Sequence, residues 1–433
     1  MTTFQKYQTK PLDCWQLSKE LRAKFYQEIW TAKQEGKTLC IALGLLSNSI
    51  PTAFPDTVFA EMASYFTVVA NNPELAIQCA EASTERGYPV DICHATQLVW
   101  GSMFLDHGPF GTFIRPDLCL QLHFCETQGK SSQVMSEHYG IPYFCIDAPL
   151  IPADRGTEHF KKNLVDQMQE AIEWMENVTG KKFNDEAFVH GVRNEWEATV
   201  LWAKICDLNK NIPAPLDLRM LSSLMAPLFL KGNSDETVNY LRILHDEVQD
   251  RVKNQIAALG TERCRLLHEG VPPFYFLRFF RIPEKYGAIF VGSSLEFGSR
   301  GAFEREKDGS WRVAKTPEEQ GMPMKTRKDA LDALAHYMVT NAFMRTLVVL
   351  GKAEEQVKRV EDWHVDGVVF HCDRGCQALP AGMPEARLAL KEKGVPTMVY
   401  EASHGDPREL SEAQVVDRLE GFMESLGLDP LED

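Results

Sequence analysis

Short apolar runs that end at polar or cysteine residues alternate, along this chain, with stretches of helical period. The clearest case is Asp366-Gly-Val-Val-Phe-His-Cys-Asp-Arg-Gly-Cys376, where the apolar part reads as a buried strand. A helical pattern follows from about Pro384 to Lys393, then Gly394-Val395-Pro396 turns the chain into a second strand, Thr397 to Tyr400. The same grammar occurs earlier. Asp117 to Cys125 reads as a strand ending in a cysteine, a helix runs to His138, Gly140-Ile141-Pro142 turns, and Tyr143 to Ile146 is a strand. Each is a βαβ unit, and open α/β sheets bind ligands beyond the carboxyl ends of their strands. A second copy of the unit predicts two similar α/β domains facing one another.

Elsewhere the pattern predicts helix over residues 1 to 35, a strand and loop from Thr38 to Leu46, and helices from Thr57 to Tyr65 and Glu74 to Arg86. Cys93 falls in a loop or first turn ahead of a helix through Gln97 to Met103. Residues 158 to about 258 read as nearly all helical, with Asn163 to Met175, Asp185 to Cys206 and Ser234 to Ala258 clearest. Strands return at Arg265 to Glu269 and Gly287 to Val291, around an aromatic run from Phe274 to Phe280. Residues 298 to 327 are charged and glycine-rich, a long surface loop or lid. Helices from Lys328 to Phe343, Glu354 to Trp363 and Leu410 to Leu426 complete the pattern. The expected fold is α/β: two flavodoxin-like or Rossmann-like parallel-sheet domains, an N-terminal helical segment and a central helical block. The expected divisions are 1–37, 38–155, 156–262 and 263–433.

At 433 residues the chain exceeds the usual ~150 residues of one domain, which agrees with that division. A net charge of −15 argues against a nucleic-acid partner, because such partners need a basic footprint. An anionic small ligand remains compatible with a local basic pocket. No run approaches the ~20 apolar residues of a membrane span, and the first residues lack a signal peptide's apolar core, so a cytoplasmic protein is expected. Eleven scattered cysteines, an odd number, do not suggest a disulfide framework. They are either small buried hydrophobes or, in part, ligands of a soft metal.

Cys93, Cys125 and Cys376 occupy comparable places, after a strand or turn and beside a following helix. Three protein thiolates on one iron–sulfur cubane would leave one iron open to another ligand; the alternative is that all three are spectators. Three residues separate Cys372 from Cys376, a weak signal by itself, and Cys372 could replace or supplement a ligand. Cys119 and Cys145 fall inside strands, and Cys14, Cys40, Cys79, Cys206 and Cys264 lack a neighbour in sequence, so these read as core. His94, beside Cys93, is a candidate proton or hydrogen-bond donor, or a histidine satisfied by water or a cap. His371 and Arg374 share the Cys376 loop. Arg374 could offset an anionic cluster or bind phosphate, or pair with Asp373. His123 ranks behind His371. Glu401 and His404 follow the last strand, at the edge where acid–base residues would be useful. The basic residues between Arg300 and Arg327 could meet the phosphates of an anionic ligand or form a solvated loop. The phenylalanines of 274–280 could line an acyl pocket or fill the core. No P-loop or dinucleotide fingerprint is present, so this chain is not expected to hydrolyse ATP.

Several segments together resemble the superfamily of 2-hydroxyacyl-CoA dehydratases and benzoyl-CoA-type reductases. They are Asp91-Ile92-Cys93, Pro116 to Pro149 around Cys125, His371-x-x-Arg374-Gly375-Cys376, Pro384-Glu385-x-Arg387-Leu388-Ala389-Leu390, Gly394-Val395-Pro396, Tyr400-Glu401-Ala402 and Gly405-Asp406-Pro407-Arg408. Ile212 to Leu216 and Arg265-x-x-x-Glu269-Gly270-x-Pro272 match more loosely. The resemblance implies an iron–sulfur subunit acting on a CoA thioester alongside a homologous partner. It also implies a separate ATP-hydrolysing iron–sulfur activator that injects one low-potential electron. Position by position, Cys93, Cys125 and Cys376 would ligate a [4Fe-4S] cluster. Dehydratases recycle the electron after forming a ketyl radical anion and expelling hydroxide, whereas the aromatic reductases consume electrons. His94-Ala95-Thr96-Gln97 and Gly44-Leu45-Leu46-Ser47-Asn48 depart from the usual pattern. The altered loop at Gly44 to Asn48 and the aromatic run favour the reductase, with the (R)-2-hydroxyacyl-CoA dehydratase as alternative. Further alternatives are a non-catalytic electron-relay subunit and a double-cubane [8Fe-9S] reductase of another small molecule.

Overall fold

The computed structural model describes residues 4–44, 47–148, 157–347 and 349–432. Eight strands form two four-stranded sheets, all pairs parallel. In the first sheet β1 (Thr38–Ala42), β2 (Thr57–Glu61), β3 (Leu118–His123) and β4 (Tyr143–Asp147) lie in the order β2-β1-β3-β4. In the second, β5 (Cys264–Glu269), β6 (Ala288–Ser293), β7 (Gly367–Asp373) and β8 (Thr397–Ala402) lie in the order β6-β5-β7-β8. Within its own sheet, each set runs second, first, third, fourth. The fold is therefore α/β with Rossmann-like parallel sheets, as the repeated βαβ pattern predicts. The strand order reverses between β1 and β3, and again between β5 and β7, so each sheet has a switch point there.

The inner strands are apolar on both faces because helices cover both sides: Leu39, Cys40 and Ile41 of β1 and Val368, Val369 and Phe370 of β7 are buried. The two Gly-x-Pro turns work alike. Gly140 and Gly394 adopt left-handed φ values of 64° and 75°, ending the helices Glu126–Tyr139 and Met383–Glu392 before β4 and β8.

Three expectations need correction. Thr57–Glu61 is a strand, not helix. Its β-branched and aromatic residues pair with β1 from Thr38↔Thr57 to Ala42↔Glu61, and the helix begins only at Met62. The N-terminal helix is confined to Trp15–Thr31. Before it, Gln8–Thr9 pairs in parallel with Ile256–Ala257, and the Glu247 carboxylate accepts from the Asp13 and Cys14 amides at the helix start. Residues 298–327 are not simply a surface lid. Phe303–Arg305 and Trp311–Val313 form an antiparallel hairpin, anchored because Phe303, Trp311 and Met324 are buried.

The helical block comprises chiefly Glu158–Thr179, Asp185–Leu208 and Asp235–Lys253. Asn184 and Ser234 cap the latter two by accepting from Ala187 and Thr237 amides. Helix Asp185–Leu208 bridges the two sheets. Glu195 holds the loop after β1 through Ser47, Asn48 and Ser49. At the helix's other end Trp202 donates to Glu296 O (2.7 Å), and Asn209 just beyond it donates to Val291 O of β6 (2.7 Å). Leu45 and Leu46 of the first-sheet loop, and the division expected at 155–156, lie outside the described residues. No described helix is long and apolar enough to cross a membrane.

Candidate functional site

Cys125 follows β3 and is the N-cap residue of Glu126–Tyr139; Cys376 follows β7. Both therefore lie beyond a switch point, at equivalent places in the two sheets. Cys93 is the N-cap of His94–Phe104. Neither Cys93 nor Cys125 caps its helix through a side-chain hydrogen bond, so each thiol sits over first-turn amides that favour negative charge. Leu379 N–H points at Cys376 Sγ (3.5 Å). Cys93 lies near enough to Cys125 and to Cys376 for its charge to bear on both thiols. All three are only half-buried, whereas Cys14, Cys40, Cys79, Cys119, Cys206 and Cys264 are fully buried and Cys145 lies half-buried on the edge strand β4. Cys372 alternates to the opposite face of β7, in register with Glu401.

Among the described residues no three His, Cys, Asp or Glu side chains converge on a point where one ion could sit. A cubane does not ask for such convergence, because each thiolate binds a different iron. Three thiols on separate loops, two above helix N-termini, form a donor set that fits an anionic iron–sulfur group.

A hydrogen-bonded chain ties the Cys93 and Cys376 segments together. Asp373, the last residue of β7, accepts from Gly375 N–H (3.0 Å) and from His404 Nδ1. His404 Nε2 accepts from Ala95 N–H (2.8 Å) and lies 3.8 Å from Cys93 Sγ. Burial alone would lower the His404 pKa, but Asp373 overrides it and raises it to about 10. The Ala95 N–H bond to Nε2 requires the neutral ring with its proton on Nδ1, so Asp373, which favours the imidazolium, and the Ala95 amide, which opposes a proton on Nε2, pull the ring in opposite directions. Burial pushes the Cys93 thiol up, and His404 more than offsets this, leaving it below its ordinary value. Burial raises Cys125 to about 11, and burial with Asp373 and Cys93 raises Cys376 further.

The other sequence candidates divide. His94 is buried, with Nδ1 unpartnered and packed over Gly375, and burial with His404 lowers its pKa to about 4. His371 does not face the Cys376 loop. It is wholly buried, bonded at Nδ1 to Val271 O and stacked on Tyr400 at 4.7 Å. Arg374 and Glu401 pair with each other at 3.2 Å on the surface, exposed by 55% and 62%, and so are drawn away from the thiols. His123 pairs with Asp147. Phe276, Phe279 and Phe280 pack with Phe290, Tyr400 and Leu419 in the second sheet's core.

Sequence reasoning missed the buried charges around these loops. Glu61, at the end of β2, accepts from Gly44 and Ala63 amides (2.8 and 3.1 Å), and its Oε2 has no partner. Burial raises its pKa to about 7 against the opposing pull of Arg300. Gly44 in turn packs on Gln128, three residues after Cys125, which puts Glu61 near that thiol's helix. Ser47, Glu195, Arg300 and Tyr337 join Leu122, Ile146 and other apolar side chains around a cavity of about 70 Å³. Behind the Cys376 loop, Glu269 pairs with buried Lys352 (3.4 Å) and Arg359 (3.3 Å), while Lys352 donates to Leu379 O (2.7 Å). Burial would raise Glu269, but Arg359 and Lys352 hold it down at about 2. Arg300 and Glu269 fall within stretches noted in the sequence, but no local spacing announces Glu61, Glu195 or Lys352, or that these charges are buried together, since they come from separate segments.

Residues 39–426 match the family described as 2-hydroxyglutaryl-CoA dehydratase, D-component. The chain is 23% identical over 413 residues to the (R)-2-hydroxyisocaproyl-CoA dehydratase alpha subunit of Clostridioides difficile, covering 94% of each. It is 26% identical over 323 residues to the alpha subunit of (R)-2-hydroxyglutaryl-CoA dehydratase from Acidaminococcus fermentans, covering 73% of this chain and 61% of that one. To a benzoyl-CoA reductase subunit of Thauera aromatica it is 25% identical over 434 residues, covering 94% and 93%.

Proposed function

The chain belongs to the 2-hydroxyglutaryl-CoA dehydratase D-component family, and from that premise we propose that it is the iron–sulfur subunit of an (R)-2-hydroxyacyl-CoA dehydratase. In this reading it works with a homologous partner and is primed by a separate ATP-hydrolysing activator. Cys93, Cys125 and Cys376 would hold a [4Fe-4S] cluster, which when bound supplies the low-potential electron to the thioester. The observation that carries the reading is that Cys125 and Cys376, at equivalent edges of the two sheets, and Cys93, at a helix start, lie near enough for the Cys93 charge to bear on both.

Dehydration needs a group that takes a proton from C3 and returns one to the departing hydroxyl at C2. Glu61 suits both duties, because a carboxyl titrating near 7 exchanges protons readily at neutral pH and its Oε2 is free. The two transfers sum to loss of water with no net electron consumed. His404 and Asp373 hold the Cys93 helix start against the Cys376 loop.

A reductase of the benzoyl-CoA type is the second reading, favoured by the full-length similarity to the Thauera protein. The aromatic run lends it no support, since Phe276, Phe279 and Phe280 are core. Iron and labile sulfide are to be measured on anaerobically purified protein, with EPR, in wild type and in Cys93→Ala, Cys125→Ala and Cys376→Ala. About four irons per chain, lost in each variant, is expected; full iron in all three would reject the ligand assignment. Turnover of a 2-hydroxyacyl-CoA on catalytic priming ATP is expected of the dehydratase, whereas ATP consumed at every turnover would favour the reductase.

A further inference from the structure

Lys352, Glu355, Gln356 and Arg359 recur at helical spacing on the helix Val349–Asp362, and all four are wholly buried. Lys352 and Arg359 both face Glu269, at 3.4 and 3.3 Å, and Arg359 also donates to Ser294 Oγ and to the Glu355 carbonyl. The Glu355 carboxylate is engaged elsewhere: Trp311 Nε1 donates to it, and Arg305 lies 3.8 Å away. Burial pushes Glu296, another buried carboxyl that feels the Glu269 charge, toward its neutral form. One carboxylate therefore answers two buried cations. Such a cluster is a poor source of stability, because each buried ion gives up its hydration. Arg359 and Glu269 already make a balanced pair, and Lys352 is the cation that pairing does not account for.

The other contact of Lys352 leads to the thiols. Its Nζ donates to Leu379 O (2.7 Å), and Leu379 N–H in turn points at Cys376 Sγ (3.5 Å). The Leu379 side chain is buried with Phe343 and Leu347, against Cys376 and against Phe124, the residue before Cys125. Lys352 lies near enough to Cys376 for the charge of that thiol to bear on it. Glu269 is in register with Phe370 of β7. The ammonium thus spans the switch point of the second sheet, from the end of β5 to the loop after β7.

We propose that Lys352 is a positioning residue for the iron–sulfur site: it fixes the Cys376 turn through Leu379 and sets a surplus positive charge behind that thiolate, so that the anionic cluster is held and its reduction potential raised. The inference rests on the iron–sulfur reading and adds to it a residue outside the three ligands. Net local charge and hydrogen bonding around the sulfurs set the potential of such a cluster. Removing a cation favours the oxidised form, which is the less negative one.

The test compares full-length wild type, Lys352→Met and Lys352→Gln, all purified anaerobically. Lys352→Met leaves Glu269 paired with Arg359, and thermal unfolding checks that both variants fold. In Lys352→Met, hydrogen–deuterium exchange over residues 375–380 and iron loss to a chelator are each expected to quicken about tenfold. In an EPR-monitored redox titration its midpoint is expected to move to lower potential. The expected size is about tenfold in the ratio of reduced to oxidised cluster at a fixed potential, or about 59 mV for one electron. Lys352→Gln removes the charge and keeps an N–H donor. It is expected to shift the midpoint equally while exchanging more slowly than Lys352→Met, and it carries the same readouts if the methionine variant does not fold. Unchanged exchange and iron loss in a folded, charge-free variant would overturn the proposal, and so would a midpoint that stays or rises. If wild type binds no iron, the iron–sulfur reading fails. Exchange then decides for Lys352 by itself: a quickened turn keeps the residue as its anchor, and an unchanged one overturns the assignment.

Discussion

Glu61 and Asp373 are both buried carboxyls, yet they are held at opposite ends of the titration range. Glu61 is buried without an ion pair, and the pull of Arg300 and of the backbone amides only partly offsets burial, so its pKa is about 7. Burial opposes ionisation of Asp373 too, but His404 overcomes it and keeps the carboxylate charged. For Glu61 the folded pKa lies above the ordinary 4.5, so the native state binds more protons than the unfolded chain between those values. Wild type should therefore lose stability relative to Glu61→Gln as pH climbs from about 4.5 to 7, by about 3 kcal/mol in all. Urea unfolding at pH 5 and pH 8 measures this. In the pH–rate profile, a limb near 7 should disappear in Glu61→Gln along with about 10²- to 10⁴-fold of kcat; an unchanged profile would remove Glu61 from the proton transfers. Asp373→Asn should act differently. The amide still accepts from Gly375, but its NH₂ now faces His404 Nδ1 and drives the proton to Nε2, against the Ala95 amide. A loss of about 2–4 kcal/mol, with iron released earlier in a chelator titration, is expected.

At the scale of elements, glycines mark the edges where loops leave the sheets. Gly270 follows β5 with φ 113°, and a Cβ there would lie 2.8 Å from the His371 carbonyl oxygen of β7. Gly140, with φ 64°, faces open space. Gly270→Ala should therefore cost about 2–3 kcal/mol and Gly140→Ala about 1, read as unequal drops in Tm. Equal drops would mean the contact with β7 relaxes freely. The βαβ units around Cys125 and Cys376 were legible because each element carries its own signal: an apolar run, a helical period and a Gly-x-Pro turn. Strand β2 was not. Thr57-Val-Phe-Ala-Glu61 is too short for its period to separate strand from helix, and pairing with β1 decided it.

Across the whole molecule, the helix Asp185–Leu208 fastens the first-sheet loop at Glu195 and, with Asn209, reaches β6 of the second. Asn209 is fully buried, donating to Leu216 and Val291 carbonyls and accepting from Leu216 N–H. Asn209→Leu strands those groups and should cost about 2–4 kcal/mol. Because one helix serves both sheets, unfolding followed by circular dichroism and by tryptophan fluorescence should stay coincident in the variant. Separated transitions would show that the sheets do not depend on the shared helix.

The chain by itself determined the α/β class, the doubled βαβ unit and the loop positions of Cys93, Cys125 and Cys376, because period, turn residues and run ends are local properties. It also carried the family likeness, in short segments read in order. Only the tertiary structure decided which polar residues share a site. Glu61, Glu195 and Arg300 belong to three different elements, and their protonation and unpaired edges follow from burial and distance. The same holds for His371 and Glu401, both candidates in the sequence. Strand alternation and the pairing of β7 with β8 turned His371 into the core and Glu401 out to solvent.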